Sequence, residues 1–131
     1  MNSEKENKNR KYDLEERLLD FSVCIINIVE VLPNTRAGNH IAGQLIRCGT
    51  SPAPNYGEAQ SAESRNDFIH KIKIVLKELR ETNVWLNIIE RKKLLKDKSN
   101  NLHTLRVECN ELISIFVTSV KTARKNKGSK K

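Results

Sequence analysis

The chain has 131 residues, 37% of them apolar and 31% charged, and a formal net charge of +8. That length and mixture suit one soluble, helix-rich domain with a real core rather than a disordered or fibrous chain. The opening "MNSEKENKNRKY" has no apolar segment, and the most apolar run, Leu18 to Leu32, is interrupted by Asp20, Ser22, Asn27 and Glu30. Neither a signal peptide nor a membrane span of about 20 apolar residues is therefore expected, and the expected location is the cytoplasm.

The first predicted helix covers about residues 13–32. Leu14, Leu18, Phe21, Ile25, Ile28 and Leu32 alternate steps of four and three, and Pro33 stops the helix. Eleven of the fifteen residues from Leu18 to Leu32 are apolar, far more than the stripe of about 100° that one buried seam needs. Surplus apolar surface of this kind predicts self-association.

The second predicted helix covers 36–62 and contains the unusual stretch "SPAPNYGEA". Ile41, Leu45, Cys48, Pro52, Asn55, Ala59 and Ala62 keep the same stepping straight through its two prolines and glycine. Proline is tolerated in a first helical turn, where the backbone N–H has no partner to lose. With Ser51 as cap, Pro52 and Pro54 occupy such positions. Ala53 precedes a proline and is pushed away from helical angles, so one element with a kink near 50–54 is predicted. On this phase Asn55 points into the bundle and Glu58 lies at its edge. A buried polar group left unsatisfied costs about 1–3 kcal/mol. One reading is a structural polar clasp of Ser51, Asn55 and Glu58, with Arg65 or Arg80 neutralising the carboxylate. The other is a ligand or catalytic pocket.

The third predicted helix, 65–95, carries Phe68, Ile72, Val75, Leu79, Thr82, Leu86 and Ile89 on one seam, with Ser64 and Asp67 spaced as a capping box. The fourth, 100–122, carries Leu102, Leu105, Cys109, Leu112 and Phe116, and a second apolar face of Ile113, Val117 and Val120. Nothing alternates with a period of two for long. The predicted fold is all-α, an antiparallel up-down four-helix bundle with a proline-kinked second helix.

The positive charge is concentrated in the tails. Residues 1–12 sum to +2 and residues 121–131 to +6, so the body between them is neutral. Residues 1–12 and 123–131 are expected to be disordered tails flanking one domain at 13–120. Within the body, residues 65–98 sum to +5, which makes Arg91, Lys92, Lys93, Lys96 and Lys98 the basic patch on folded structure. Together with Lys121, Arg124, Lys125, Lys127, Lys130 and Lys131 these are the candidate nucleic-acid contacts.

Cys24, Cys48 and Cys109 are odd in number and far apart, on or beside apolar stripes, as buried thiols in a reducing compartment would be. A di-iron bundle needs Glu-x-x-His on two helices, and the nearest match is a single Asp67-x-x-His70. His70 is expected beside the core or at an interface. There is no nucleophile elbow, phosphate-cradling loop or Cys-x-x-Cys. No catalytic residue, metal, cofactor or small-molecule substrate is indicated.

"SPAPNYGEAQSAESRNDFIHKIKIVLKELRETNVWL", Ser51 to Leu86, closely resembles the four-helix-bundle family named for open reading frames in 23S rRNA intervening sequences. The residues that carry the likeness are Ser51, Asn55, Glu58 and Ala59, then Ala62 to Arg65, Asp67, Phe68, His70 and Lys71, then Lys77, Glu78, Glu81, Thr82, Trp85 and Leu86. Pro54 departs from the pattern. The resemblance covers about residues 14–120 and implies an antiparallel bundle assembled as a homopentamer. It also implies kinship with the accessory variability proteins of diversity-generating retroelements, basic oligomers that bind a reverse transcriptase and nucleic acid. Two functions are therefore expected: a non-enzymatic homo-oligomeric scaffold that meets RNA, DNA or a ribonucleoprotein through its cations, or a protein-interaction module with no nucleic-acid role.

Overall fold

The computed structural model describes the backbone of residues 3–96 and 101–129, and the side chains of 13–96 and 101–126. Five helices follow one another: α1 Ser3–Val31, α2 Arg36–Thr50, α3 Pro52–Gln60, α4 Arg65–Lys92 and α5 Leu102–Ser129. Taking α2 and α3 as one broken rod, they make a four-helix bundle without strands among the described residues. None of these helices is long and apolar enough to cross a membrane.

Local chemistry sets the ends. Leu32 and Pro33 leave the first helix, and Thr35, extended at φ −127°, starts the next by accepting the Gly38 N–H on its hydroxyl at 3.0 Å. Ser64 does the same for Asp67 at 3.1 Å, as its spacing predicts. α4 stops three residues short of the boundary expected at 95. Lys93 turns left-handed (φ 56°), and the Leu94 N–H reaches back to the Ile89 carbonyl at 3.1 Å.

α1 begins at Ser3 and α5 reaches Ser129.

One core runs the length of the bundle. Leu18, Phe21, Ile25 and Ile28 of α1 meet Ile41, Leu45 and Cys48 of α2, Ile72, Val75, Leu79, Leu86 and Ile89 of α4, and Leu105, Cys109, Leu112 and Phe116 of α5. The predicted second face of α5 is absorbed into this body: Val120 is buried, and Ile113 and Val117 pack half-buried against the core. α1 and α2 approach closely where a Cβ on Gly49 would lie 2.6 Å from Ile25 Cγ2. Between α2–α3 and α4 the numbering runs in opposite directions, Arg47 meeting Glu81 and Glu58 meeting Lys71.

The proline stretch interrupts the helix at Ser51 alone, and Ser51 itself has helical angles (φ −70°, ψ −34°). Pro52 and Pro54 fall at the first and third positions of α3, where their missing donors cost little. The inward row then differs from the prediction at one position. Pro52, Tyr56 and Ala59 are buried, and Asn55 is only half-buried. Tyr56 takes the place predicted for Asn55 because its ring packs edge-on to Phe116, centroids 5.6 Å apart, whereas an amide there would lose water without return.

Two of the three thiols are buried as expected, but Cys24 is exposed on α1. Burial pushes the Cys48 thiol up to about 11 and the Cys109 thiol to about 12. Cys109 also donates to the Leu79 carbonyl at 3.3 Å. Near pH 8 Cys48 and Cys109 are expected to resist alkylation in the native chain, and mass spectrometry showing either of them as a fast site would contradict this burial. The neutral thiols contribute stability below the ordinary value of 9.0, and this is lost as pH rises toward 11 and 12.

Candidate functional site

Arg47 of α2 organises the densest polar cluster. Its guanidinium donates to Glu78 at 3.2 Å and to Glu81, and Glu81 also accepts the Trp85 indole N–H at 3.3 Å. His40 closes the cluster edge-on to Trp85, centroids 5.8 Å apart. The side chain of Glu78 is 11% exposed and that of Arg47 53%, so the pair straddles the α2–α4 seam. Beneath it Thr82 is fully buried and donates to the Glu78 carbonyl at 2.8 Å. Both carboxylates share the one cation and the Trp85 indole has its acceptor, which suits register-setting more than catalysis. Sequence reading missed Arg47. The available signal was that it is the only Lys or Arg between Arg36 and Arg65, with Glu78 and Glu81 one turn apart.

The Ser51–Asn55 half of the predicted clasp comes together. The Asn55 amide donates to the Ser51 carbonyl at 3.0 Å and to its hydroxyl at 2.8 Å, holding the interrupted turn. The Glu58 half does not. Glu58 is exposed and pairs with Lys71 at 2.8 Å, not with Arg65 or Arg80. Arg80 lies nine residues beyond Lys71, about 14 Å farther along α4, and is exposed. Arg65 lines a shallow cleft with Phe68, Ser119 and Ala123 at the other end of the connection. His70, expected beside the core or at an interface, is exposed because the inward row passes through Ile69 and Ile72. Among the described residues no group of three His, Cys, Asp or Glu side chains could hold a metal ion.

The candidate nucleic-acid contacts fall into two groups. Arg91, Lys92, Lys93 and Lys96 are exposed at the end of α4, and Lys121, Arg124 and Lys125 are exposed on α5. Glu90 pairs with Arg106, so the first group sits beside the start of α5. Lys121 is fifteen residues beyond Arg106, roughly 22 Å along the axis, so the groups occupy opposite ends of one bundle. Lys98, Lys127, Lys130 and Lys131 lie outside the residues whose side chains are described.

Apolar surface is also left exposed, on α1 and α5 among other elements. Leu19, Val23 and Val31 of α1 are 52%, 56% and 51% exposed, and Val107 of α5 is 46% exposed. A groove of about 510 Å³ separates these helices, lined by Phe21, Cys24 and Val107 and rimmed by Arg17, Asp20 and Glu108. Arg17 bridges it to Glu108 at 2.6 Å and to Glu111 at 3.2 Å.

Fold and surface together define a helical-bundle protein whose described polar clusters lie along the seams between helices and on its surface. The chain belongs to the 23S rRNA-intervening sequence protein family, whose pattern matches residues 10–117. It is also similar to a crystal structure from Bacteroides thetaiotaomicron, a protein of unknown function from the S23 ribosomal protein family. That likeness has a TM-score of 0.74 and 30% identity, and covers 82% of this chain and 98% of that one. No curated protein matches.

Proposed function

We propose that the chain is a non-enzymatic scaffold that self-associates through the α1–α5 face and meets RNA or DNA through its exposed cations. The observation that carries this is the exposure of Leu19, Val23 and Val31 on α1 and of Val107 on α5, in a chain whose core is already complete without them. Large apolar side chains left exposed on a folded domain are covered more favourably by another copy than by water. The homopentamer that the family likeness implies is one closed way to cover them. The nucleic-acid limb rests on a net charge of +8, with Arg91 to Lys93, Lys96, Lys121, Arg124 and Lys125 all exposed.

The test is mass in solution. The parent chain is expected well above its protomer mass of 15.0 kDa, and the pair Leu19→Glu and Val23→Glu is expected to return it to the monomer with helix content intact. A parent that is monomeric at every concentration would remove the proposal. A protein-interaction module is the second reading, favoured by the same groove, because its rim mixes Arg17 with Asp20 and Glu108 and would accept a mixed-charge helix. A partner retained after nuclease and high salt would select that reading.

A further inference from the structure

α4 turns to solvent a ridge whose only charges are positive. The side chains facing directly away from the core are, in order, Asn66, His70, Lys73, Lys77, Arg80, Val84, Ile88 and Arg91, all exposed and stepping by fours and threes. No carboxylate lies on that ridge. The reason is visible in the ion pairs: Glu78 and Glu81 are drawn toward α2 by Arg47, and Glu90 toward α5 by Arg106. Asp67 remains at the capped N-terminal turn. Lys73, Lys77, Arg80 and Arg91 have no ion-pair partner among the described residues.

The ridge also joins what the sequence left apart. It starts at the bundle end where Arg65 and Phe68 meet Ala123 and Asn126, next to Arg124 and Lys125, and it finishes at Arg91 to Lys96. From Lys73 to Arg91 it is about 27 Å long and straight. The side chains on the α1–α5 groove are of the opposite character, with Asp20, Glu108 and Glu111 outnumbering Arg17.

We infer that the α4 ridge is a docking surface for the phosphate backbone of a nucleic-acid duplex, with Lys73, Lys77 and Arg80 as its central contacts. This rests on the nucleic-acid limb of the function proposed above and assigns it to residues on the rigid body. Charge complementarity selects the occupant: Lys73, Lys77, Arg80 and Arg91, without ion-pair partners among the described residues, meet a row of phosphates. The ridge carries no Phe, Tyr or Trp on which an unpaired base could stack, which favours a duplex over a single strand. Contacts of this kind position the protein without reading sequence.

The experiment is a salt titration of binding to a fluorescein-labelled DNA duplex of about 20 base pairs, long enough to span the ridge. Three full-length chains are compared: the parent, a ridge variant with Lys73→Gln, Lys77→Gln and Arg80→Gln, and an end variant with Lys121→Gln, Arg124→Gln and Lys125→Gln. Each lost phosphate contact flattens the plot of log affinity against log salt by about 0.9, so the ridge variant is expected to lose about 2 to 3 units of slope. Its helix content and mass should be unchanged, since all three residues are exposed. A ridge variant that keeps the parent slope while the end variant loses it would overturn the ridge and leave the nucleic-acid reading standing. A parent that binds no duplex would overturn both. A ridge variant whose mass in solution falls would show that the ridge contacts a second copy, and would overturn it as well.

Discussion

Replacing Gly38 with alanine is expected to destabilise the protein by about 3 kcal/mol, although alanine is ordinarily the better helix former. Gly38 is buried in the first turn of α2, directly under the loop that leaves α1. A Cβ there would lie 2.0 Å from the Pro33 carbonyl oxygen and 3.0 Å from its carbonyl carbon. The obstacle is backbone, not a side chain that can rotate, and proline restricts how that backbone moves. Relief requires shifting the α1–α2 connection, which would pull the Gly38 N–H from the Thr35 hydroxyl. Gly43, in the same helix, serves as the control, because a Cβ added there would meet nothing within 4 Å. At that position alanine should raise stability by about 1 kcal/mol. Urea unfolding at one protein concentration measures both, and equal midpoints for Gly38→Ala and the parent would contradict the close approach.

Arg47→Met is expected to cost about 2 kcal/mol. Removing the cation leaves Glu78 nearly buried and unpaired, with Glu81 one turn away repelling it. Fully buried pairs broken on one side lose about 3–5 kcal/mol, and the half-exposed position of Arg47 reduces that figure. Methionine keeps the aliphatic packing of the arginine stem, so the loss is electrostatic rather than a cavity. The double variant Arg47→Met with Glu78→Gln should recover part of the stability, because no charge is then stranded. A double-mutant cycle by urea unfolding checks this, and a coupling near zero between the two positions would remove Arg47 from its organising role.

These two sites differ in how far they could be anticipated from features elsewhere in the chain. The capping of α4 by Ser64 was legible because the interaction is local: a hydroxyl and an N–H three residues apart. The seams of α1, α4 and α5 were legible because burial on a helix recurs every three or four residues whatever it packs against. Arg47 was not legible as a centre, since its partners lie more than thirty residues away on another helix. The Ser51–Asn55 contact spans one turn, whereas the partner of Glu58 depended on how far α3 and α4 slide past each other, and that selected Lys71.

By itself the sequence determined the element order, the all-helical class, the capped start of α4, the surplus apolar surface of α1 and the family. All but the family follow from spacing within a few turns, where geometry is nearly invariant; the family was legible from its resemblance to the motif residues between Ser51 and Leu86. Only the tertiary structure decided that Tyr56 and not Asn55 enters the core, that the two clusters of cations stand at opposite ends, and that α4 shows solvent a ridge free of carboxylates. The physical reason is the same for each. Which side of a helix a charge occupies is local, but whether it is neutralised depends on what the neighbouring helix presents at that height, and packing alone sets that height.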